Sequence, residues 1–220
     1  MEENKKEYIV IIKSIKVKFT LLQSDLLIQE TEVIVNAANN SLHLGGGVAG
    51  AILRGAGYSV QIECDKIMSQ LKRSLPNGEV QITGIGKLNT NNLRNIFHAV
   101  GPVYYDGRRN EKADLTKTFK NILQQAYDLN YKSISIPPIS SGIFGYPKKE
   151  CANIFYEVIE EFLTHQIKQM KLDNNNKCCL EDIRMVIIDH PTFQVFKNEF
   201  IALSNKWANN EEFKEEIEFQ

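Results

Sequence analysis

Apolar runs of strand type alternate with stretches of helical periodicity along almost the whole chain, and that alternation leaves few architectures open. Tyr8 to Ile12 and Ile15 to Leu22 are rich in β-branched and aromatic residues, and both read as strands. Val33-Ile34-Val35 is a short continuous apolar run, as in a strand buried on both faces. Val48, Ala51 and Ile52 open a helix that stops at Gly55-Ala56-Gly57. Val60, Cys64, Ile67 and Leu71 mark a second, ended by the turn Pro76-Asn77-Gly78. Further strands are predicted at Val80 to Thr83, Asn95 to Val100, Ser133 to Ile136 and Ile183 to Ile188. Three more helices carry apolar stripes: Leu115 to Leu129, Cys151 to Phe162 behind Pro147, and Phe193 to Trp207.

Strands joined by crossover helices imply an α/β fold with a mixed, mostly parallel central sheet covered on both faces. The two N-terminal strands are expected to add antiparallel edges. Residues 8–207 read as one domain, 1–7 as a disordered N-terminus and 208–220 as an acidic tail that extends the last helix or frays. Asp173 to Lys177 reads as a mobile polar loop.

The bulk properties exclude several classes. A formal net charge of −1 and the lack of a Lys/Arg stripe interleaved with aromatics argue against a nucleic-acid partner. Cys64, Cys151, Cys178 and Cys179 form no C-x-x-C pair, and His43, His98, His165 and His190 lack ligand spacing with them, so no metal is expected. Four reduced thiols, no secretory signal in MEENKKEY and no apolar run near ~20 residues suggest a soluble monomer of the cytoplasm or nucleus, away from membranes.

In open α/β sheets, ligands bind beyond the carboxyl ends of the strands, in the loops that lead into helices. Two such loops stand out. One follows Val33 to Val35 and runs from Asn36 through Asn39, His43 and Leu44 to Gly45-Gly46-Gly47-Val48. The other follows Ser133 to Ile136 and reads Ser140-Ser141-Gly142-Ile143-Phe144-Gly145-Tyr146. Consecutive glycines before a helix let backbone N–H groups approach a phosphate with no Cβ in the way, and the helix N-terminus adds partial positive charge. Ser140, Ser141 and Gly142 can do the same from the opposite side, and two facing loops suit a diphosphate. Neither loop matches the phosphate-binding pattern of nucleoside triphosphatases or the glycine fingerprint of dinucleotide-binding dehydrogenases.

Four segments in order resemble the macrodomain family over roughly residues 8 to 204: Val33 to Asn39, Gly45 to Ala49, His98 to Pro102, and Ile136 to Gly145. The resemblance implies a three-layer α/β/α fold with a deep cleft for ADP-ribose, which serves as ligand or product, no further cofactor being needed. It implies that Asp25 accepts a hydrogen bond from the adenine amino group while Leu26 offers a backbone N–H. Asn39 would hold the distal ribose. Gly46, Gly47 and Val48 would form the first phosphate loop, and Ser141, Gly142, Ile143, Phe144 and Gly145 the second, with Phe144 against the distal ribose. Ile188 would lie over the adenine. Asn36 and His98 read instead as buried structural groups, and Arg54 as a capping or bridging residue on the first helix.

Members of the family either read ADP-ribosylated proteins or hydrolyse ADP-ribose from acidic side chains. The best-known hydrolase branch carries an aspartate two positions after the glycine run, where this chain has Ala49. Viral macrodomains, and the first macrodomains of multi-macrodomain ADP-ribosyltransferases, resemble this chain and also lack it. Many of those carry a histidine just before the glycines, where this chain has Leu44, with His43 one residue earlier. The expectation is a mono-ADP-ribosyl protein hydrolase in which Asn39 is the catalytic residue and positions water. The alternative is a non-catalytic reader, and deacetylation of O-acetyl-ADP-ribose would use the same pocket.

Overall fold

The computed structural model describes residues 7–172, 179–210, 213 and 217–219. Its elements in chain order are β1 (Glu7–Ile12), β2 (Val17–Gln23), β3 (Val33–Ala38), α1 (Gly47–Ala56), α2 (Tyr58–Leu71), β4 (Val80–Thr83), β5 (Asn95–Val100), α3 (Glu111–Asp128), β6 (Ser133–Ile136), α4 (Lys148–Leu172), β7 (Asp182–Ile187), α5 (His190–Ala208) and β8 (Ile217–Phe219), with a single 3-10 turn at Leu26–Ile28. The strands form one sheet in the order β4-β5-β3-β6-β7-β2-β1-β8.

Alternation of side chains across the sheet builds two cores, because successive strand residues face opposite ways. Val33 and Val35, Phe97 and Ala99, Met185 and Ile187 pack with α3, α4 and α5. Ile34, Ile96 and Val186 point to the other face and meet α1 and α2 through Ala49, Ile52, Ala56 and Val60. The architecture is three layers, α/β/α, around a mixed sheet.

The five central strands β5, β3, β6, β7 and β2 run parallel, as crossover helices require. One detail goes beyond the sequence reading and one differs from it. β4 is antiparallel to β5, because only the loop 84–94 joins them and a short link cannot return the chain parallel. At the other side β1 is antiparallel to β2, but β2 itself is parallel to β7, and β1 is not the edge. β8 covers it, pairing Val10 with Phe219 and Ile12 with Ile217.

The C-terminal segment therefore neither extends α5 nor frays throughout. The helix ends at Ala208, and Phe213 stacks on Trp207 with ring centroids 4.9 Å apart. Phe213 and Ile217 are buried, and β8 satisfies backbone groups on β1 that an open edge would leave to solvent. The polar segment 173–177 and residues 1–6 lie outside the described residues. No helix among those described is long and apolar enough to cross a membrane.

Candidate functional site

The carboxyl ends of β3, β6, β7 and β2 are neighbours in the sheet, and each delivers a loop into one cleft of about 770 Å³. Asn39 and the glycine run follow β3; Ser140 to Phe144 follow β6; Ile188 and Asp189 follow β7; Asp25 to Leu27 follow β2. Three strand spacings separate the first from the last, roughly 14 Å. The order along this line matters, because it fixes which part of an extended ligand meets which loop.

The first loop is braced by side-chain amides. Asn39 Oδ1 accepts hydrogen bonds from Ser41 N (3.1 Å), Ser41 Oγ (2.9 Å) and His43 N (3.1 Å), while its Nδ2 donates to the His43 carbonyl at 2.9 Å. Gln61 on α2 reaches across: its Oε1 accepts from Leu44 N at 2.8 Å and its Nε2 donates to Asp65 at 2.8 Å. Leu42 and Leu44 are buried, so His43 between them turns outward and lines the cleft. The family resemblance puts Leu44 where many relatives carry a histidine, whereas the side chain that lines the cleft is His43.

Gly46 caps α1 without a side-chain hydrogen bond, and Gly47 adopts φ 56°, a left-handed conformation that disfavours a Cβ. Among the described residues, the N–H groups of Gly46, Gly47 and Val48 have no acceptor, and they stand at the positive end of α1. Ala49 is buried, and no carboxylate occupies its place.

The second loop is shaped by backbone bonds. Gly145 N donates to Gly142 O and Tyr146 N to Ser140 O, both at 2.9 Å, and Ser141 donates through N and Oγ to Pro138 O. Ser140 adopts φ 64°, uncommon for a residue with a side chain, and its buried hydroxyl has no partner among the described residues. The N–H groups of Gly142, Ile143 and Phe144 lack acceptors among the described residues. Ile143, 79% exposed, lies across to the first loop: its Cδ1 stands 3.0 Å from where a Cβ on Gly46 would be. Phe144 is half-buried, and its carbonyl accepts from Tyr104 N at 2.8 Å.

At the far end, Asp25 caps the 3-10 turn by accepting from Leu27 N at 2.9 Å through Oδ1. Capping through Oδ1 leaves Oδ2 for the cleft, which Asp25 also lines. Leu26 is buried beside it, and Ile188, one residue past β7, is 71% exposed at the rim. Asp189 caps α5 through Thr192 N at 2.9 Å. Burial alone would raise its carboxyl, but the Thr192 hydrogen bonds and the Lys148 ammonium at 3.7 Å more than offset that and hold it below the usual range.

Asn36 and His98 are fully buried and outside the cleft. Burial lowers the His98 imidazole to about 4, so it is neutral near pH 7. Its polar contacts then assign the proton: Asn36 Nδ2 donates to Nδ1 (3.0 Å), Nε2 donates to Thr83 Oγ1 (2.8 Å), and Thr83 donates to Gly84 O. This relay ties β3, which carries the first loop, to β5 and β4.

The sequence reading missed Gln61, whose role depends on a contact between residues 17 apart in sequence. It also missed Lys148 and Asp189 as cleft residues, although they follow β6 and β7 where the strand-end rule looks for ligands. Arg54, read as a capping or bridging residue, lines the cleft and has no hydrogen-bond or carboxylate partner among the described residues.

The Macro domain family model matches residues 35–155. An O-acetyl-ADP-ribose deacetylase of Klebsiella pneumoniae is 42% identical over 144 residues, 66% of this chain and 80% of that protein. An uncharacterized protein of Thermotoga maritima is 39% identical over 183 residues, 83% of this chain, which spans only 28% of that protein's length. A mutant of the Oceanobacillus iheyensis macrodomain solved with ADPR superposes with a TM-score of 0.75 at 29% identity, covering 86% of this chain and 95% of that one. With the motif run at the strand ends and the layer order both in place, the chain belongs to the Macro domain family.

Proposed function

We propose that the cleft binds ADP-ribose and that the protein hydrolyses mono-ADP-ribose from acidic side chains of modified proteins. The observation that carries this is the pair of facing loops, each with three backbone N–H groups unpaired among the described residues, one of them at a helix N-terminus. Backbone donors in such a pair favour a diphosphate over a single phosphate. The order of strand ends supports the orientation: adenine by Asp25, Leu26 and Ile188, the diphosphate between Gly46-Gly47-Val48 and Ser141 to Gly145, and the distal ribose by Asn39 and Phe144. The names of relatives support the same chemical class, since an O-acetyl-ADP-ribose deacetylase also hydrolyses an ester of ADP-ribose.

In the proposed reaction, water adds to the anomeric carbon of the distal ribose and the side-chain carboxylate leaves. The water gives a hydroxyl to the sugar and one proton to an acceptor. Asn39 keeps one amide N–H uncommitted after bonding its own loop, and this group would orient the ribose or the water. His43 is the titratable side chain beside it in the cleft, whereas Asp189 is engaged by Thr192 and Lys148. Deacetylation of O-acetyl-ADP-ribose fits the same pocket.

The reading as a non-catalytic reader of ADP-ribosylated proteins is favoured by Ala49 at the aspartate position and by the three hydrogen bonds that already fill Asn39 Oδ1. The separating experiment measures ADP-ribose release from a protein mono-ADP-ribosylated on glutamate, beside acetate release from O-acetyl-ADP-ribose, for the wild type and Asn39→Ala. Release of ADP-ribose by the wild type that collapses in Asn39→Ala supports the hydrolase. Tight binding with neither product released makes the protein a reader, and acetate release alone restricts it to deacetylation.

A further inference from the structure

Arg54 is the cleft-lining cation the fold leaves without a counter-charge. Lys148, the other basic side chain of fixed charge in the cleft, is paired with Asp189 at 3.7 Å. Arg54 makes no ion pair or hydrogen bond among the described residues, although Asp25 lines the same cleft.

Its direction is informative. Helical side chains lean toward the helix N-terminus, and the absence of a Cβ on Gly50, one turn earlier, lets this one lie close along α1. A Cβ on Gly50 would stand 3.3 Å from Arg54 Nη1 and 2.9 Å from Gly45 O, so the guanidinium and the start of the glycine run crowd the same point. A cation near the last turn of a helix ordinarily gains from the negative end of the dipole. Here the charged group is drawn back one turn to Gly50, toward Gly45 at the start of the glycine run and the positive end of α1. The acceptor at that point is the uncharged Gly45 carbonyl, which supplies no counter-charge, whereas an anion in the cleft would.

We infer that Arg54 is a ligand-binding residue that contacts the diphosphate of the nucleotide from the α1 side, adding a charged, directional donor to the backbone N–H groups of the first loop. The inference rests on the reading of the cleft as a site for ADP-ribose. A planar guanidinium gives two parallel hydrogen bonds to phosphate oxygens, which a lysine cannot reproduce. The consequence is selectivity for nucleoside diphosphates over nucleosides, since adenosine offers Arg54 nothing to bind.

The test is calorimetric titration of wild type, Arg54→Ala and Arg54→Lys with ADP-ribose, ADP and adenosine at two salt concentrations. Arg54→Ala is expected to weaken ADP-ribose and ADP roughly tenfold or more, to leave adenosine within about twofold, and to flatten the salt dependence of ADP-ribose binding. Arg54→Lys should recover only part of the loss. Because Arg54 is exposed and has no partner among the described residues, its replacement should leave the melting temperature unchanged, so a loss of binding reports contact and not unfolding. ADP-ribose affinity in Arg54→Ala within twofold of wild type overturns the inference while leaving the ADP-ribose site standing. Adenosine weakened as much as ADP overturns it too, by placing Arg54 on the base or ribose. A wild type that binds neither ADP-ribose nor ADP sinks the reading of the site itself.

Discussion

The first loop of the cleft, Asn39 to Val48, takes its shape from side-chain amides, whereas the second, Pro137 to Tyr146, takes it from its own backbone. Asn39 and Gln61 between them make hydrogen bonds to Ser41, His43 and Leu44 that hold the run leading into the glycines. In the second loop the bonds from Ser141, Gly145 and Tyr146 join main-chain groups a few residues apart, and Gly101 on the chain leaving β5 presses against it. The difference teaches where each loop is vulnerable. A loop held by side chains loosens when one amide is removed, while a loop held by its backbone yields mainly to steric intrusion.

Gly101→Ala is the strongest way to break the second loop. A Cβ there would sit 2.3 Å from Ser140 Oγ and 2.5 Å from Ile139 Cγ2. The Ser140 hydroxyl can rotate away, but the β-branched Ile139 cannot, so the loop backbone must move. The expected loss is about 3 kcal/mol of stability with ADP-ribose binding abolished. Urea denaturation and ligand titration check it, and a variant that melts and binds like wild type would show the contact is slack.

Acid loosens the platform beneath the first loop. The folded-state pKa of His98 is lowered from 6.5 to about 4, so the unfolded chain takes up the proton first. The associated stability is complete above pH 6.5 and is lost as pH falls through 4, amounting to about 2 kcal/mol by pH 5. Protonation would also oblige Nδ1 to donate toward Asn36 Nδ2, which already donates to it. Denaturant unfolding at pH 7 and pH 5, with an NMR titration of the imidazole, tests this. Equal stabilities, or an imidazole charged at pH 5 in the folded protein, would remove His98 from the account.

A matched pair sharpens the contrast between amide and backbone. Asn39→Ala removes four hydrogen bonds from a half-buried residue and should cost about 1.5 kcal/mol, with faster hydrogen exchange at Ser41 and His43 N–H. Ser141→Ala removes the bond from Oγ to Pro138 O but keeps the one from N, and should cost about 0.5–1 kcal/mol with exchange across the second loop unchanged. Equal effects on the two loops would erase the distinction drawn between them.

Periodicity made the layers legible in the sequence. Val33 to Val35 and Ser133 to Ile136 are buried central strands, and the stripes from Leu115 and Phe193 are the buried faces of α3 and α5. What periodicity could not supply depends on distant partners. β8 is three residues long and exists because β1 offers it an edge. Gln61 looks like any polar helix residue until Leu44 N is placed beside it. The orientation of His43 depends on the backbone of a loop in which Leu42 adopts φ 54°, a conformation that no apolar–polar alternation encodes. That Arg54 lacks a partner among the described residues is a property of the surface around it, and no local pattern encodes it.

Gly142→Ala should disturb the protein least and yet says most about what the second loop is for. A Cβ at Gly142 would meet nothing within 4 Å, and its φ lies outside the left-handed region, so neither crowding nor backbone strain opposes the methyl group. Stability should be unchanged or rise by up to about 1 kcal/mol, because alanine narrows the unfolded ensemble. Gly142 lines the cleft, and an added methyl group there would stand in open space. If the diphosphate spans both loops, the added methyl should lower ADP-ribose affinity roughly tenfold while leaving the fold intact. Unchanged affinity in a stable Gly142→Ala protein would mean that the ligand does not approach that N–H, and that the first loop holds the diphosphate without its neighbour.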